Sequence, residues 1–358
     1  MNAPFTQILG PPELVDWRDV NERAAVTAFV ADHPAATPFH RPEWLDAIVA
    51  ATGHRLHVLV VRRGPKIAAV LPVHEVHSGL FGRALVSSGF AVGGGILGVD
   101  PYAVAYMTAA AEELAQRLAC PGIELRGGAL PPEGAGWSIR SDAHAGFAAT
   151  LAADDEAQLM AIPRKQRAEV RKGLSAGLSV RVGVGAEDRA MHHLVFARSV
   201  HNLGTPVFPR RLFGEVLDRF GPDAEILTVL DGGEPVASVL SLYHRGVVMP
   251  YWGGGTTRAR NARANDLMYF ALMRRARERG CKTFDFGRSK IGSGAYHFKR
   301  NWGFTPEPLA YAQWSSPGLV LRDVDPLSPR HRLRITAWRR LPARVADALG
   351  PLISNGLA

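Results

Sequence analysis

Residues 225–252 read EILTVLDGGEPVASVLSLYHRGVVMPYW, and the fold follows from this stretch. Three apolar runs, Glu225 to Leu230, Pro235 to His244 and Val247 to Trp252, are parted by Asp231-Gly232-Gly233 and by Arg245-Gly246. An Asp-Gly pair between alternating runs is a hairpin signal, because glycine accepts the positive φ of a two-residue loop without strain. The stretch therefore predicts an antiparallel meander. Outward on one side lies a helical pattern from Asn265 to Arg279, closed by Gly280 and followed by a strand from Lys282 to Phe286. On the other side, Thr205-Pro206 and Phe208 precede a helix over Arg211 to Phe220.

The same succession occurs once before, displaced by roughly 160 to 170 residues. It runs from Thr37-Pro38-Phe39 through a helix at Glu43 to Ala51 and a strand at Leu56 to Arg62. A turn at Gly64-Pro65, strands at Ile67 to Val76 and Ala84 to Ser87, a helix at Tyr102 to Cys120 and a strand at Ile123 to Leu125 complete it. Each half is thus helix, meander, helix, strand, the order expected of an α+β chain with two mixed sheets flanked by helices. This order resembles the acyltransferase fold of the GNAT superfamily, so the fold expected is a tandem of GNAT-like domains. The boundaries expected are a first domain over 1–150, a basic helical connector over 151–185, a second domain over 186–316 that carries the site, and a basic amphipathic tail over 317–358.

Chemistry concentrates in FDFGRSKIGSGAYHFKRNWGF, Phe284 to Phe304. Arg288, Lys290, Lys299 and Arg300 place four cations within thirteen residues beside Tyr296, His297 and Trp302. Gly287, Gly292 and Gly294 point to a loop that presents positive charge and hydrogen-bond donors to an anionic or oxyanionic group. Attack of an amine on an ester or thioester builds negative charge on the carbonyl oxygen, and an ammonium aimed there lowers the barrier. Lys299 is the first candidate for that role. Asp285 is a candidate proton acceptor or a partner of Arg288, and Tyr296 and His297 are candidate donors or proton carriers. Tyr251 and Trp252, ahead of Gly253-Gly254-Gly255, are placed to wall a substrate cleft; Arg288 and Lys290 are substrate-binding candidates.

With the duplication, this segment resembles FemAB-type transferases, and most closely the FemAB-related proteins that accompany PEP-CTERM/exosortase and exopolysaccharide loci. The likeness is strongest from Thr205 to Phe304. It implies transfer of an acyl or aminoacyl group onto an amine of a cell-envelope, peptidoglycan or exopolysaccharide precursor, with Gly294, Tyr296, Phe298 and Lys299 matching the family's transfer-centre pattern. Acyl-CoA users of the superfamily carry a glycine-rich phosphate loop, whereas this chain has Arg258-Ala259-Arg260-Asn261-Ala262-Arg263-Ala264. Arg258 and Arg263 would hold phosphate by side-chain charge instead of backbone amides. The donor, acyl-CoA or aminoacyl-tRNA, stays open at this point.

Composition sets the limits. Lys and Arg number 42 against 33 Asp and Glu, a net charge of +9, which favours anionic partners such as phosphates, nucleotides, tRNA or acidic lipid headgroups; the FemAB resemblance implies an anionic small-molecule or lipid-linked glycan or peptide precursor among them. Cys120 and Cys281 are the only cysteines, far apart, and His192-His193 lacks ligand spacing, so no metal is expected and a reducing cytoplasm is the expected compartment. Between the halves, Arg164, Lys165, Arg167, Arg171 and Lys172 fall on one arc of a helix. In the tail, Trp338, Leu341, Val345 and Leu349 recur at helical spacing among arginines, with Gly350-Pro351 as the expected stop. That stripe suits docking on the protein's own core, which is the expectation, or peripheral contact with the inner membrane. A monomer is expected. The competing readings are a non-catalytic carbohydrate or lipid-carrier binding protein on the same fold, and a nucleic-acid-binding protein driven by charge.

Overall fold

The meander forms as the turn chemistry requires. In the computed structural model, which describes residues 8–132, 134, 136–316, 318–319 and 329–358, Asp231 pairs with Glu234 across Gly232 (φ 60°) and Gly233 (φ 86°). His244 pairs with Val247 across Arg245 (φ 49°) and Gly246 (φ 74°). Both are two-residue loops with positive φ at both central positions, whose twist matches that of the flanking strands. In the first half the corresponding loop is Gly64 (φ 60°) and Pro65, between Arg63 and Lys66. There only the first central residue takes positive φ, which leaves proline the second place.

The chain forms two units, each with its own sheet and core. In one, the strands lie in the order Ser179–Gly183, Ala224–Asp231, Glu234–His244, Val247–Gly255, Thr283–Asp285 and Ala148–Thr150. All neighbours are antiparallel except Val247–Gly255 and Thr283–Asp285, which are joined by the helix Ala264–Glu278 and run parallel. In the other, the order is Glu13–Leu14, Arg55–Arg63, Lys66–Ser78, Gly82–Ser87, Gly122–Arg126, Tyr311–Ser315 and Trp137–Arg140. Again one neighbouring pair is parallel, Gly82–Ser87 with Gly122–Arg126, across the helix Pro101–Arg117. Two mixed sheets with one pattern of directions, each flanked by helices, make the expected tandem GNAT-like α+β architecture.

The boundaries differ from the expected ones. One unit takes in Met1–Ser141, Ala310–Val324 and Asn355–Ala358, and the other Asp142–Leu309 and Asp325–Ser354. The strand beyond each parallel pair comes from outside its own half: Tyr311–Ser315 pairs with Gly122–Arg126, and Ala148–Thr150 pairs with Thr283–Asp285. The stretch expected as a connector is part of a core. It forms helices Asp155–Ala161 and Arg164–Leu174 and the edge strand Ser179–Gly183, and Ile162 and Val170 lie in the same cluster as Leu267, Phe270 and Met273. Gly173 permits this, since a Cβ there would stand 2.8 Å from the carbonyl oxygen of Arg263. Arg164, Lys165, Arg171 and Lys172 stay exposed on the outer face.

The tail forms helices Pro329–Arg340 and Ala343–Ser354; residues 320–328 lie outside the described ones. The second helix continues through Gly350-Pro351 instead of stopping there. Pro351 gives up one helical hydrogen bond, and burial of Ala346, Gly350 and Ser354 along one side holds the turn beyond it.

Candidate functional site

The two parallel pairs have different fates. In the Met1–Ser141 unit, registered pairing stops after Leu85–Ile123 and Val86–Glu124, and the chain's own backbone then closes the gap. Gly95 N–H donates to the Arg126 carbonyl at 3.1 Å, Ile96 bridges to Ala129, and a Cβ on Gly95 would stand 1.8 Å from the Gly127 oxygen. In the Asp142–Leu309 unit pairing likewise stops after Val247–Thr283 and Val248–Phe284, yet Met249, Pro250, Tyr251, Gly253, Gly254 and Gly255 are only half-buried. Pro250 stands where the strands part, a place where the missing N–H costs no ladder bond on that side. Tyr251 is the extra residue of a bulge, since Leu240 pairs with Trp252 and Ser241 with Pro250. Among the described residues, the parting strands of the Asp142–Leu309 unit thus keep a half-buried edge, a wedge that the other unit fills with its own backbone.

Lys299 and Asp285 stand at the wedge's vertex. The segment expected as a cationic loop is in part a helix, Gly294–Asn301, capped by Ser293, whose Oγ accepts from Tyr296 N–H. Its final turn carries Lys299, only 9% exposed, and Nζ donates to the carbonyls of Gly287 (3.1 Å) and Arg288 (3.0 Å). The rings of Phe147 and Phe286 lie 5.4 and 5.9 Å from that nitrogen. Burial pushes the Lys299 amine down to about 8, against the pull of the Asp285 charge, with Arg288 adding to the fall. Asp285 accepts from Gly287 N–H at 2.8 Å, and burial raises its carboxyl above the usual range despite Lys299. An acid raised and an amine lowered at one spot is what burial of an opposite-charge pair produces.

Other candidates sit as follows. Tyr296 is half-buried, edge-on to Phe147 at 5.4 Å, while His297, one residue on, is exposed. The helix, in place of a strand's alternation, sets that contrast. Arg288 and Lys290 are half-buried beside the short sheet of Ser289–Lys290, His144–Gly146 and Glu307–Pro308. Trp252 is buried among Phe208 and Phe213, behind Tyr251, and so stiffens the wall from the core side.

Arg258 and Arg263 form a separate corner at the far end of the strand. The segment after Gly255 is a short helix, Thr257–Asn261, with Thr256 as cap, its side chain accepting from Ala259 N–H. Arg258 pairs with Asp231 and Arg263 with Glu169, each at 2.5 Å, and both guanidinium groups keep about half of their surface in water. Beneath them Gln166 Nε2 donates to Asp266 Oδ1 at 2.5 Å, and burial raises the Asp266 carboxyl. Sequence reasoning missed Gln166, Asp266 and Phe147. Of these, Phe147 had a signal, the alternation of His144 to Thr150. Among the described residues no group of three or more His, Cys, Asp and Glu side chains gathers to hold a metal ion.

Residues 164–300 match the family model described as an acetyltransferase (GNAT) domain. Among solved structures, FemX superposes with a TM-score of 0.63 at 15% identity, over 81% of this chain and 95% of its own. A tandem GNAT protein from the clavulanic acid biosynthesis pathway gives 0.53 at 14% identity, over 87% and 100%. The C-terminal domain of a putative lysylphosphatidylglycerol synthetase from Agrobacterium fabrum gives 0.52 at 13% identity, over 82% and 93%. These likenesses are of fold. No curated protein matches the sequence. Asp285 and Lys299 thus lie inside the stretch, residues 164–300, that matches the GNAT acetyltransferase domain, in a chain whose two units carry mixed sheets of one GNAT-like pattern.

Proposed function

We propose that this protein is an N-acyltransferase of the FemAB-like class, moving an acyl or aminoacyl group onto an amine of a cell-envelope or exopolysaccharide precursor. One observation carries the reading. The half-buried edge from Met249 to Gly255 runs from the Lys299–Asp285 vertex to the Arg258–Arg263 corner, about 20 Å at strand rise. An extended donor with phosphate at the arginine corner would bring its reactive carbonyl to the vertex. Acyl-CoA meets that description directly; aminoacyl-tRNA meets it through the 3′-terminal nucleotides.

At the vertex the acceptor nitrogen attacks the carbonyl carbon. A C–N bond forms, the nitrogen's proton passes to Asp285, and the C–S or C–O bond of the donor breaks, the leaving sulfur or oxygen taking up that proton to depart as the free thiol or hydroxyl. Two of the three Lys299 N–H donors are committed to carbonyls, and the third is available for the oxygen on which charge develops. The kinship in fold with FemX and with a lysylphosphatidylglycerol synthetase domain supports envelope chemistry, and the exopolysaccharide acceptor rests on the sequence resemblance alone.

The test is product formation by the purified full chain offered a panel of acyl-CoAs and charged tRNAs with amino-sugar and peptide amines, followed by mass spectrometry. Transfer from one donor class is expected, lowered by two or more orders of magnitude in Asp285→Asn. Binding of acceptor with no turnover on any donor would favour the non-catalytic carbohydrate or lipid-carrier reading instead.

A further inference from the structure

The helix Ala343–Ser354 is amphipathic in an inverted sense. Its buried side is made of small residues, Ala346, Gly350 and Ser354, at successive fourth positions. The contact is close: a Cβ on Gly350 would stand 2.7 Å from Val207 Cγ1 and 2.9 Å from the Val207 nitrogen. Its large apolar residues face away. Val345, Leu349 and Leu352 are 41, 42 and 75% exposed, and at 100° per residue they fall within about 60° of one another on the side away from the small residues. Such a stripe normally turns toward a core. Here the core side is fixed by the glycine contact, so the stripe stays outward.

Charge says what covers it. The preceding helix, PRHRLRITAWRR over Pro329–Arg340, contains no acid, and Arg339, Arg340 and Arg344 are exposed next to the stripe. The one acid of the second helix, Asp347, is exposed but lies about 160° around the helix from Leu349, away from the stripe, where its charge reaches His193. The first helix is itself anchored. His201 Nε2 bonds the Trp338 carbonyl at 3.2 Å, Arg339 donates to the Leu203 carbonyl at 3.0 Å, and a Cβ on Gly204 would strike Ile335. Leu203, where that anchor ends, is also exposed, at 61%.

We infer that the Pro329–Ser354 helix pair is a docking surface for an anionic lipid bilayer: Val345, Leu349 and Leu352 enter the headgroup boundary and Arg340 and Arg344 meet the lipid phosphates. A face of exposed leucine and valine bordered by arginine, without acid, is the pattern that binds such surfaces by apolar burial and electrostatic attraction together. No helix among the described residues is long and apolar enough to cross a membrane, so this contact is peripheral. It is independent of the proposed reaction.

The experiment is co-sedimentation of the full chain with vesicles of phosphatidylcholine alone or mixed with phosphatidylglycerol, at about 0.1 M and about 0.5 M salt. Binding is expected to the mixed vesicles at the lower salt and little to phosphatidylcholine. Leu349→Glu with Leu352→Glu lowers the bound fraction at least tenfold at unchanged circular dichroism, and Arg340→Gln with Arg344→Gln removes most of the preference for anionic lipid. Absence of binding by the unaltered protein overturns the inference, as does equal binding by the leucine variant. Light scattering that shows a dimer split by the leucine substitutions also overturns it, because a second copy would then own the stripe.

Discussion

Lys299 holds a charge where the fold disfavours it. Its amine loses its proton near 8 in the folded chain and near 10.5 when unfolded, so holding the ammonium below pH 8 costs about 3 kcal/mol, the burial being the larger cause. The two hydrogen bonds to the Gly287 and Arg288 carbonyls replace part of the water the ammonium gives up. The sign follows from proton counts. Between the two values the unfolded chain holds more protons, so this residue's contribution to stability grows as pH rises from about 8 to 10.5 and is lost as pH falls through about 8. Lys299→Met removes the titration. Urea midpoints measured at pH 7, 9 and 10.5 should show the unaltered protein gaining on the variant over that range, and a constant difference would mean that the amine is not buried as described. The same variant should lose about a hundredfold or more in kcat with little change in KM for the donor, since the missing donor acts on charge that appears only in the transition state.

At the scale of elements, the crossing of helix Arg164–Leu174 over helix Ala264–Glu278 ties the basic face into the acyltransferase core. Gln166, Val170 and Gly173 face inward, and Gly173 touches the backbone at Arg263, the residue of the arginine corner. Gly173→Val puts a branched side chain where 2.8 Å is available. A loss of about 1 to 3 kcal/mol is expected from overpacking, read as a lower thermal midpoint, with weaker donor binding because Arg263 must shift; an unchanged midpoint would refute the close crossing. The meander and both crossover helices were legible in the sequence because their signals are local: Asp231-Gly232, Arg245-Gly246, and Gly280 after a 3.6-residue period. Strands Ala148–Thr150 and Tyr311–Ser315 were not, because alternation says that a short run is a strand and nothing about a partner far away in the chain. The helix at Gly294 was hidden by its own glycines, although Ser293 ahead of Tyr296 and Phe298 is a fair capping signal. Lys299 was legible by residue type and motif. Its depth was not, since Phe147, which covers it, arrives from the strand segment that precedes the matched domain.

At the scale of the molecule, duplication left two sheets of one pattern and freed one of them from keeping its wedge open: glycines 95, 127 and 128 knit the first, while the second stays half-buried and carries the titratable pair. Each unit also buries a neutral imidazole. In one, His74 is fully enclosed, with Nδ1 accepting from Gly89 N–H at 3.0 Å and Nε2 facing the Leu45 carbonyl at 3.3 Å. In the other, His192 is fully enclosed against Phe196 and Phe213, with Nδ1 at 3.0 Å from Ser238 Oγ. Desolvation pushes both down to about 3. The unfolded chain takes up these protons near pH 6.5 and the folded one only near 3, so stability is full above 6.5 and falls as the solution is acidified toward 3. By pH 4.5 each residue has removed roughly 2 to 3 kcal/mol, a sizeable share of what holds a unit together. Because the two imidazoles lie in different units, His74→Gln should relieve acid sensitivity in one unit alone. Calorimetry of that variant at pH 4.5 should resolve two transitions, the lower belonging to the unit with His192, while at pH 7 they lie closer together. A thermal midpoint that does not move between pH 7 and 4.5, in the unaltered protein, would show that neither ring is held neutral by burial.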